Sequence, residues 1–313
     1  MGGEVSHHVV TSGSSHIDID ALACVVAFHD YLAKRGESSE IVLTPEPNST
    51  VPPMIRTLPM AWTSGRQWER PQCGCRYTVM DVSNPEFFDP VADLADVQSV
   101  YDHHHGFEAY WAARENVHAY IEPVGACATL VWEQICRAGY GDALDDASYK
   151  VLLTAIVSNT LDFRSRISCV RDEQAYRALV GRAHVGDAWK AAYFEEVSVS
   201  ILADPIEALR RDCKRMSLGG RTLWVGQIEV WDARQMLGPP DCDAITNLLA
   251  KEGPGFANVV SISEGVNYLI ADSVNTASYL GNVLSGEAVA SCVHRTNALW
   301  LRKEIAKKFS ACF

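Results

Sequence analysis

From His8 to Arg182 the chain alternates short apolar runs with stretches of helical spacing, and its acids and histidines gather where the apolar runs stop. His8 to Thr11, Glu40 to Leu43, Tyr77 to Val82 and Gln98 to Tyr101 read as strands. Ala21 to Lys34, Ala126 to Ala138, Ser148 to Ser158 and Asp172 to Arg182 read as helices. Val51 to Gln72 mixes prolines and tryptophans without a clear period and reads as loop, with room for a helix. Strands alternating with helices imply right-handed crossovers and a doubly wound, mostly parallel α/β sheet. Ligands of such sheets sit beyond the carboxyl ends of the strands. The polar clusters Ser14 to Asp20, Asp81 to Asn84 and Asp102 to His105 fall at those ends.

Beyond a boundary near Phe194 to Ser200 the pattern changes. A helix (Pro205 to Arg215), a Gly219-Gly220 turn, a strand (Thr222 to Val230) and a helix (Asp243 to Lys251) follow in order. The strand Asn258 to Ser263 then turns through Glu264-Gly265 into Tyr268 to Asp272. Residues 1–195 are expected to form the larger domain and 196–313 a smaller α/β domain. Apolar residues at 48% give enough core for both. A net charge of -12 argues against a grip on duplex nucleic acid, which needs Lys and Arg to neutralise phosphates. It leaves room for a small anionic phosphate substrate at a local basic or metal-loaded site. No run reaches the ~20 apolar residues of a membrane span, and Met1 to Ser15 lacks the apolar core of a secretory signal. Ten scattered cysteines read as reduced, and the expected compartment is the cytoplasm.

Two carboxylates at Asp18 and Asp20, on a turn that opens a helix, repel one another unless a cation lies between them. An Asp opening a helix is also an ordinary N-cap, and Asp81 is also an ordinary turn residue. Asp102-His103-His104-His105 is harder to explain as packing. Neutral imidazoles beside carboxylates suit manganese, cobalt, zinc or magnesium. Their recurrence at the sheet ends of one domain favours a site for two divalent ions. Such a pair, ~3.5–4 Å apart, activates a water and clamps a phosphoryl group.

Asp102-His103-His104 resembles the signature of the DHH phosphoesterase superfamily. Asp18-Ile19-Asp20-Ala21 resembles its first motif and Asp81 its second. Glu122 to Thr129 and Thr154 to Ser165 are similar to stretches of the manganese-dependent (family II) inorganic pyrophosphatases. The match runs in order from about residue 8 to residue 180. The resemblance implies a DHH domain, a DHHA2-like domain and an active site in the cleft between them, closing over substrate. It implies Asp18 as ligand of a first metal, Asp20 and His103 as ligands of a second, and Asp81 as a bridge. It places His104 toward substrate and Asp102 behind a neighbouring ligand. Lys214, Arg302 and Lys303 are implied as phosphate-binding cations. Manganese is the implied ion, with magnesium or cobalt as substitutes, and the implied assembly is a homodimer.

Two positions depart from the pyrophosphatase pattern. Ser14 stands where a ligating histidine is expected, as in exopolyphosphatase-like relatives, and the spacing of His16 does not replace it. Asn159 stands where a metal-binding aspartate is expected; it can offer a carbonyl oxygen but no charge. Both predict weaker metal binding, with one ion in place of two where a site is weakened, or altered substrate handling. The leading expectation is hydrolysis of pyrophosphate or short polyphosphate. A phosphodiesterase of nucleotides or short oligonucleotides is the enzymatic alternative, disfavoured because relatives of that kind carry a Gly-Gly-His motif absent here. A phosphate- or metal-binding protein without turnover is the third. Cys73-Gly-Cys75 has no second pair to complete a zinc site. His7-His8, Trp111, Trp132 and Trp300 read as structural, and there is no Gly-rich phosphate loop or nucleophile elbow.

Overall fold

A computed structural model describes residues 7–312, apart from the side chains of Arg211, Lys303 and residues 310–312. The chain divides into two compact units, Met1–Tyr193 and Phe194–Phe313. In the first, the apolar runs become β1 (His7–Thr11), β2 (Ser39–Leu43), β3 (Thr63–Ser64), β4 (Cys75–Met80), β5 (Val97–Asp102) and β6 (His118–Ile121). They pair in the order β3-β2-β1-β4-β5-β6, every pair parallel. β1, β4 and β5 therefore lie side by side in the middle of the sheet, and their carboxyl ends open together.

The helices are α1 (Ile19–Lys34), α2 (Pro53–Arg56), α3 (Glu108–Ala112), α4 (Cys127–Arg137), α5 (Asp146–Asn159), α6 (Val170–Ala183) and α7 (Asp187–Ala203), whose last turns run past the division between the units. Helix α1 packs on the sheet through β1, β2 and β4, and on α4 and α5 through its other side. That double contact explains why α1 is buried almost all round, Asp20 included. Thr11 to Asp18 and Met80 to Asn84 form the loops above the sheet, tied by Ser12 Oγ donating to the Met80 carbonyl (2.6 Å). Trp111 is fully buried, stacks on Phe88 and donates its indole N–H to the Ser83 carbonyl (2.7 Å). It thereby anchors the loop that follows Asp81.

The second unit carries α8 (Pro205–Arg211), β7 (Cys213–Leu218), β8 (Arg221–Val230), α9 (Asp241–Glu252), β9 (Gly255–Ser261), β10 (Val266–Ala271), α10 (Val274–Leu284), β11 (Glu287–Ala290), β12 (Val293–Arg295) and α11 (Arg302–Cys312). Its sheet runs β11-β12-β10-β9-β8-β7, with β8 and β9 parallel and the other pairs antiparallel. One apolar core lies around Ile228, Val259 and Ile270, and another around Val225, Leu269 and Phe309. The helix expected from Pro205 to Arg215 stops at Arg211, because Cys213 to Leu218 pairs with β8 along its whole length. The expected α/β class holds: a six-stranded parallel sheet with helices, followed by a mixed sheet. The described helices include none long and apolar enough to cross a membrane.

Candidate metal centre

Asp81 follows β4 directly, with φ at 61°, a left-handed backbone that few non-glycine residues adopt. Its N–H donates to the Tyr101 carbonyl (2.7 Å), so β5 holds the turn in place. The side chain is buried, and Oδ1 has no hydrogen-bond partner among the described residues. Burial, together with the nearby charges of Asp20 and Asp18, pushes the Asp81 carboxyl well above the usual carboxylate range.

Beside it, β5 ends on Asp102. Asp102 Oδ1 accepts from the N–H groups of His103 (2.8 Å) and His104 (3.1 Å), and from His104 Nδ1 (2.8 Å). One carboxylate thus shapes the turn and fixes an imidazole. Burial pushes Asp102 upward, but the bonds from His104 outweigh it and hold the carboxyl below its ordinary range.

The ring of His103 is oriented from the other side. Its Nδ1 lies 3.0 Å from the Val124 carbonyl. A carbonyl only accepts, so Nδ1 carries the proton and Nε2 presents a lone pair. That Nε2 lies 3.6 Å from Asp81 Oδ1 and 3.9 Å from Asp20 Oδ2. Burial, with the His104 charge second, lowers the His103 pKa and keeps the ring neutral. A lone-pair nitrogen therefore faces carboxyl oxygens, and no other described group donates to Asp81 Oδ1.

Asp20 is fully buried in the first turn of α1, yet it is well supplied with donors. Its Oδ2 accepts from the Cys127 N–H (2.7 Å) and from Asn159 Nδ2 (2.6 Å), and its Oδ1 from the Ala128 N–H (2.8 Å). Cys127 and Ala128 open α4, so the free amides and positive dipole end of that helix hold the carboxylate. Burial and the Asp18 charge still push the Asp20 carboxyl upward against those N–H groups. Asp18 caps α1, accepting from the Ala21 N–H (2.9 Å).

The structure thus gathers Asp81, His103 and His104, which offer one ligand atom each within 4.8 Å of one another. Asp20 is brought against them, and Asn159 is brought to Asp20 as a donor. Ser14 is exposed on its loop, its N–H bonded to the Phe87 carbonyl (2.8 Å), and His16 is exposed two residues on. In the second unit Lys214 is exposed on β7. Arg302 opens α11 and donates to the Asp212 carbonyl (2.5 Å) and to Asp212 Oδ1 (2.7 Å). The Lys303 side chain lies outside the described residues. A divalent cation fits the donor set of the first unit: a buried carboxylate oxygen without a hydrogen-bond partner, a neutral imidazole lone pair and a second histidine are borderline-hard ligands.

The sequence gives no sign of the residue that steadies this arrangement from behind. Asp172, buried on α6, accepts from the Gly125 N–H (2.9 Å to Oδ2), the Thr129 hydroxyl (2.7 Å) and the Cys169 N–H (2.7 Å). It ties down the loop that carries Val124 and leads into α4. A Cβ on Gly125 would come within 2.7 Å of both Asp172 Oδ2 and Thr160 Cγ2, so only glycine fits there.

No protein-family profile matches the chain. Curated relatives do. A protein of Streptococcus pyogenes serotype M5 named as a probable manganese-dependent inorganic pyrophosphatase is 24% identical over 252 residues, covering 78% of this chain and 79% of its own. A Lactobacillus helveticus protein of the same name is 24% identical over 237 residues, covering 73% and 72%. Among solved structures, a Methanococcus jannaschii protein with a provisional family II inorganic pyrophosphatase name superposes with a TM-score of 0.64 at 17% identity, over 97% of this chain and 99% of its own. An exopolyphosphatase-related protein of Bacteroides fragilis gives a TM-score of 0.53 at 12% identity, over 98% and 91%. The chain is thus similar to proteins named as manganese-dependent inorganic pyrophosphatases, and it has the fold of the family II pyrophosphatase and exopolyphosphatase-related structures.

Proposed function

We propose that the chain hydrolyses a phosphoanhydride bond of pyrophosphate or short polyphosphate, with a divalent cation at Asp81 and His103. The observation that carries this reading is a neutral imidazole lone pair beside a buried carboxyl: His103 Nε2 stands 3.6 Å from Asp81 Oδ1, which has no hydrogen-bond partner among the described residues. Manganese is the ion in the relatives' names. When bound, such an ion offsets phosphate charge and acidifies a water at neutral pH.

The chain's own residues supply position and protons. Val124 and Asp102 fix the two imidazoles by their Nδ1 atoms, leaving both Nε2 atoms unprotonated when the rings are neutral. His104 is 54% exposed, with Nδ1 held by Asp102. We assign it to the phosphate, where a protonated ring stabilises the leaving oxygen. Lys214, Arg302 and Lys303 are the cations proposed for the remaining phosphate charge; for Arg302 this means exchanging Asp212 for phosphate. The cysteines, free at every described position, support a reducing cytoplasmic setting.

The test is phosphate release from pyrophosphate and tripolyphosphate with manganese, cobalt and magnesium. We expect turnover with manganese, and a loss of at least about 100-fold in Asp81→Ala, since even partners of metal ligands are worth ~10–100-fold. No turnover with any of the ions, or an Asp81→Ala variant equal to the parent, overturns the proposal.

A further inference from the structure

We infer that Asn159 limits this centre to one divalent cation, by doing for Asp20 what a second ion would otherwise do. The inference deepens the reading above and rests on it only in taking the centre to be a cation site. It follows from asking what answers each carboxylate.

Asp20 has lost most contact with water, so its charge must be met inside the protein. Four donors meet it: the Cys127 N–H at 2.7 Å, the Ala128 N–H at 2.8 Å, Asn159 Nδ2 at 2.6 Å and, more weakly, the Cys24 thiol at 3.7 Å. The orientation of the Asn159 amide follows from chemistry. A carboxylate with two helix amides already on it accepts, so the amide turns its NH2 group inward. Asp18 is met by the Ala21 N–H. Asp102 is met by two backbone N–H groups and His104. Among these four carboxylates, Asp81 Oδ1 and Asp102 Oδ2 are buried oxygens without a donor; Asp102 is already held through its Oδ1, and it is Asp81 Oδ1 that stands 3.6 Å from the His103 Nε2 lone pair. One ion answers Asp81 and His103 together.

An aspartate at 159 changes the count. Its carboxylate would stand where the Asn159 amide now lies 2.6 Å from Asp20 Oδ2. Two buried carboxylates at hydrogen-bond distance cannot both remain ionised without a proton or a cation between them. Asn159 removes that requirement at its source. It is a positioning residue: it reaches the ion through Asp20.

The test counts ions without substrate. Metal-free protein is titrated with Mn2+ by calorimetry, bound manganese is measured after gel filtration, and the electron paramagnetic resonance spectrum is recorded. The parent is expected to hold one Mn2+ per chain with the spectrum of an isolated ion. Asn159→Asp is expected to hold two, with the altered spectrum of a coupled pair, and to regain more of its melting temperature on adding Mn2+ than the parent does. Two ions in the parent, or one in Asn159→Asp, overturns the inference. If the aspartate variant does not fold, Asn159→Ala carries the test. It strips a donor from Asp20 without adding charge, so the chain should hold one Mn2+ severalfold more tightly; an unchanged Kd overturns the inference. These counts separate it from the hydrolase reading. One ion without phosphate release would overturn only the hydrolysis, and two ions with good turnover only the count.

Discussion

Replacing Asp172 by alanine should destabilise the first unit more than most single changes in it. Asp172 is fully buried, and its two oxygens take the N–H groups of Gly125 and Cys169 and the hydroxyl of Thr129. After Asp172→Ala the Thr129 hydroxyl can rotate to another acceptor, but the two backbone N–H groups cannot. An unsatisfied buried donor costs about 1–3 kcal/mol, so the pair costs about 4 kcal/mol. For a unit of this size 1 kcal/mol moves the melting point by about 2–4 °C, which predicts a fall of about 8–16 °C. Asp172→Asn is the control. Its NH2 group can point at Thr129, whose oxygen turns to accept it, while the amide oxygen keeps both backbone donors. That variant should lose about 1 kcal/mol, or about 2–4 °C. The assay is thermal unfolding by circular dichroism in chelator, so that no bound ion masks the difference. An alanine variant melting within about 3 °C of the parent, or an asparagine variant as weak as alanine, refutes the reasoning.

His8 predicts an acid limb. It is buried on β1, its Nε2 is 2.9 Å from Thr78 Oγ1, its Nδ1 has no partner, and burial first and the Arg76 charge second lower its pKa to about 4. A folded value below the unfolded 6.5 means stability is full above pH 6.5 and is lost as pH falls toward 4, by about 3 kcal/mol from this group. Urea melts between pH 7 and 4 should show that slope in the parent and a flatter one in His8→Gln; equal slopes would remove His8 as the cause. Gly125→Ala should lower both stability, by about 1–3 kcal/mol from overpacking, and Mn2+ affinity, by about tenfold, because the displaced loop carries the Val124 carbonyl that aims His103. Calorimetry checks the second effect, and a destabilised variant with the parent's Kd would separate the loop from the imidazole.

Residues that act through their own side chains at strand ends were legible. Asp81 and Asp102-His103-His104 stand out because acids and imidazoles immediately after apolar runs have few structural reasons to be there. The mostly parallel sheet was legible from strands alternating with helices, while the order in which β1, β2, β4 and β5 pair was not. What stayed hidden acts through the backbone or across long separations. The amides that hold Asp20 belong to Cys127 and Ala128, and an N–H group leaves no mark on residue type. Asp172 looks like an acid in the first turn of α6, and it is that as well; its grip on Gly125 is visible only in space. Leu161, Asp162 and Phe163 all take left-handed backbone with φ of 50°, 55° and 61°, and none is the glycine that would announce it. In the second unit, Cys213 to Arg215 continues a helical pattern by composition, and pairing with β8 overrides it. Arg302 is implied as a phosphate binder by resemblance, and its bond to Asp212 is visible only in space.

The left-handed turn at Asp81 has a consequence for how the centre comes into being. A residue held at φ 61° by the Tyr101 carbonyl keeps that shape only while the neighbouring strand is in place. The same holds for His103, aimed by a carbonyl 21 residues away, and for Asp20, gripped by amides more than 100 residues along the chain. No short piece of the polypeptide can therefore assemble the grouping, and the unfolded chain has little to offer an ion. Whatever metal is captured then acts as a latch on the completed architecture, adding stability that grows with its free concentration.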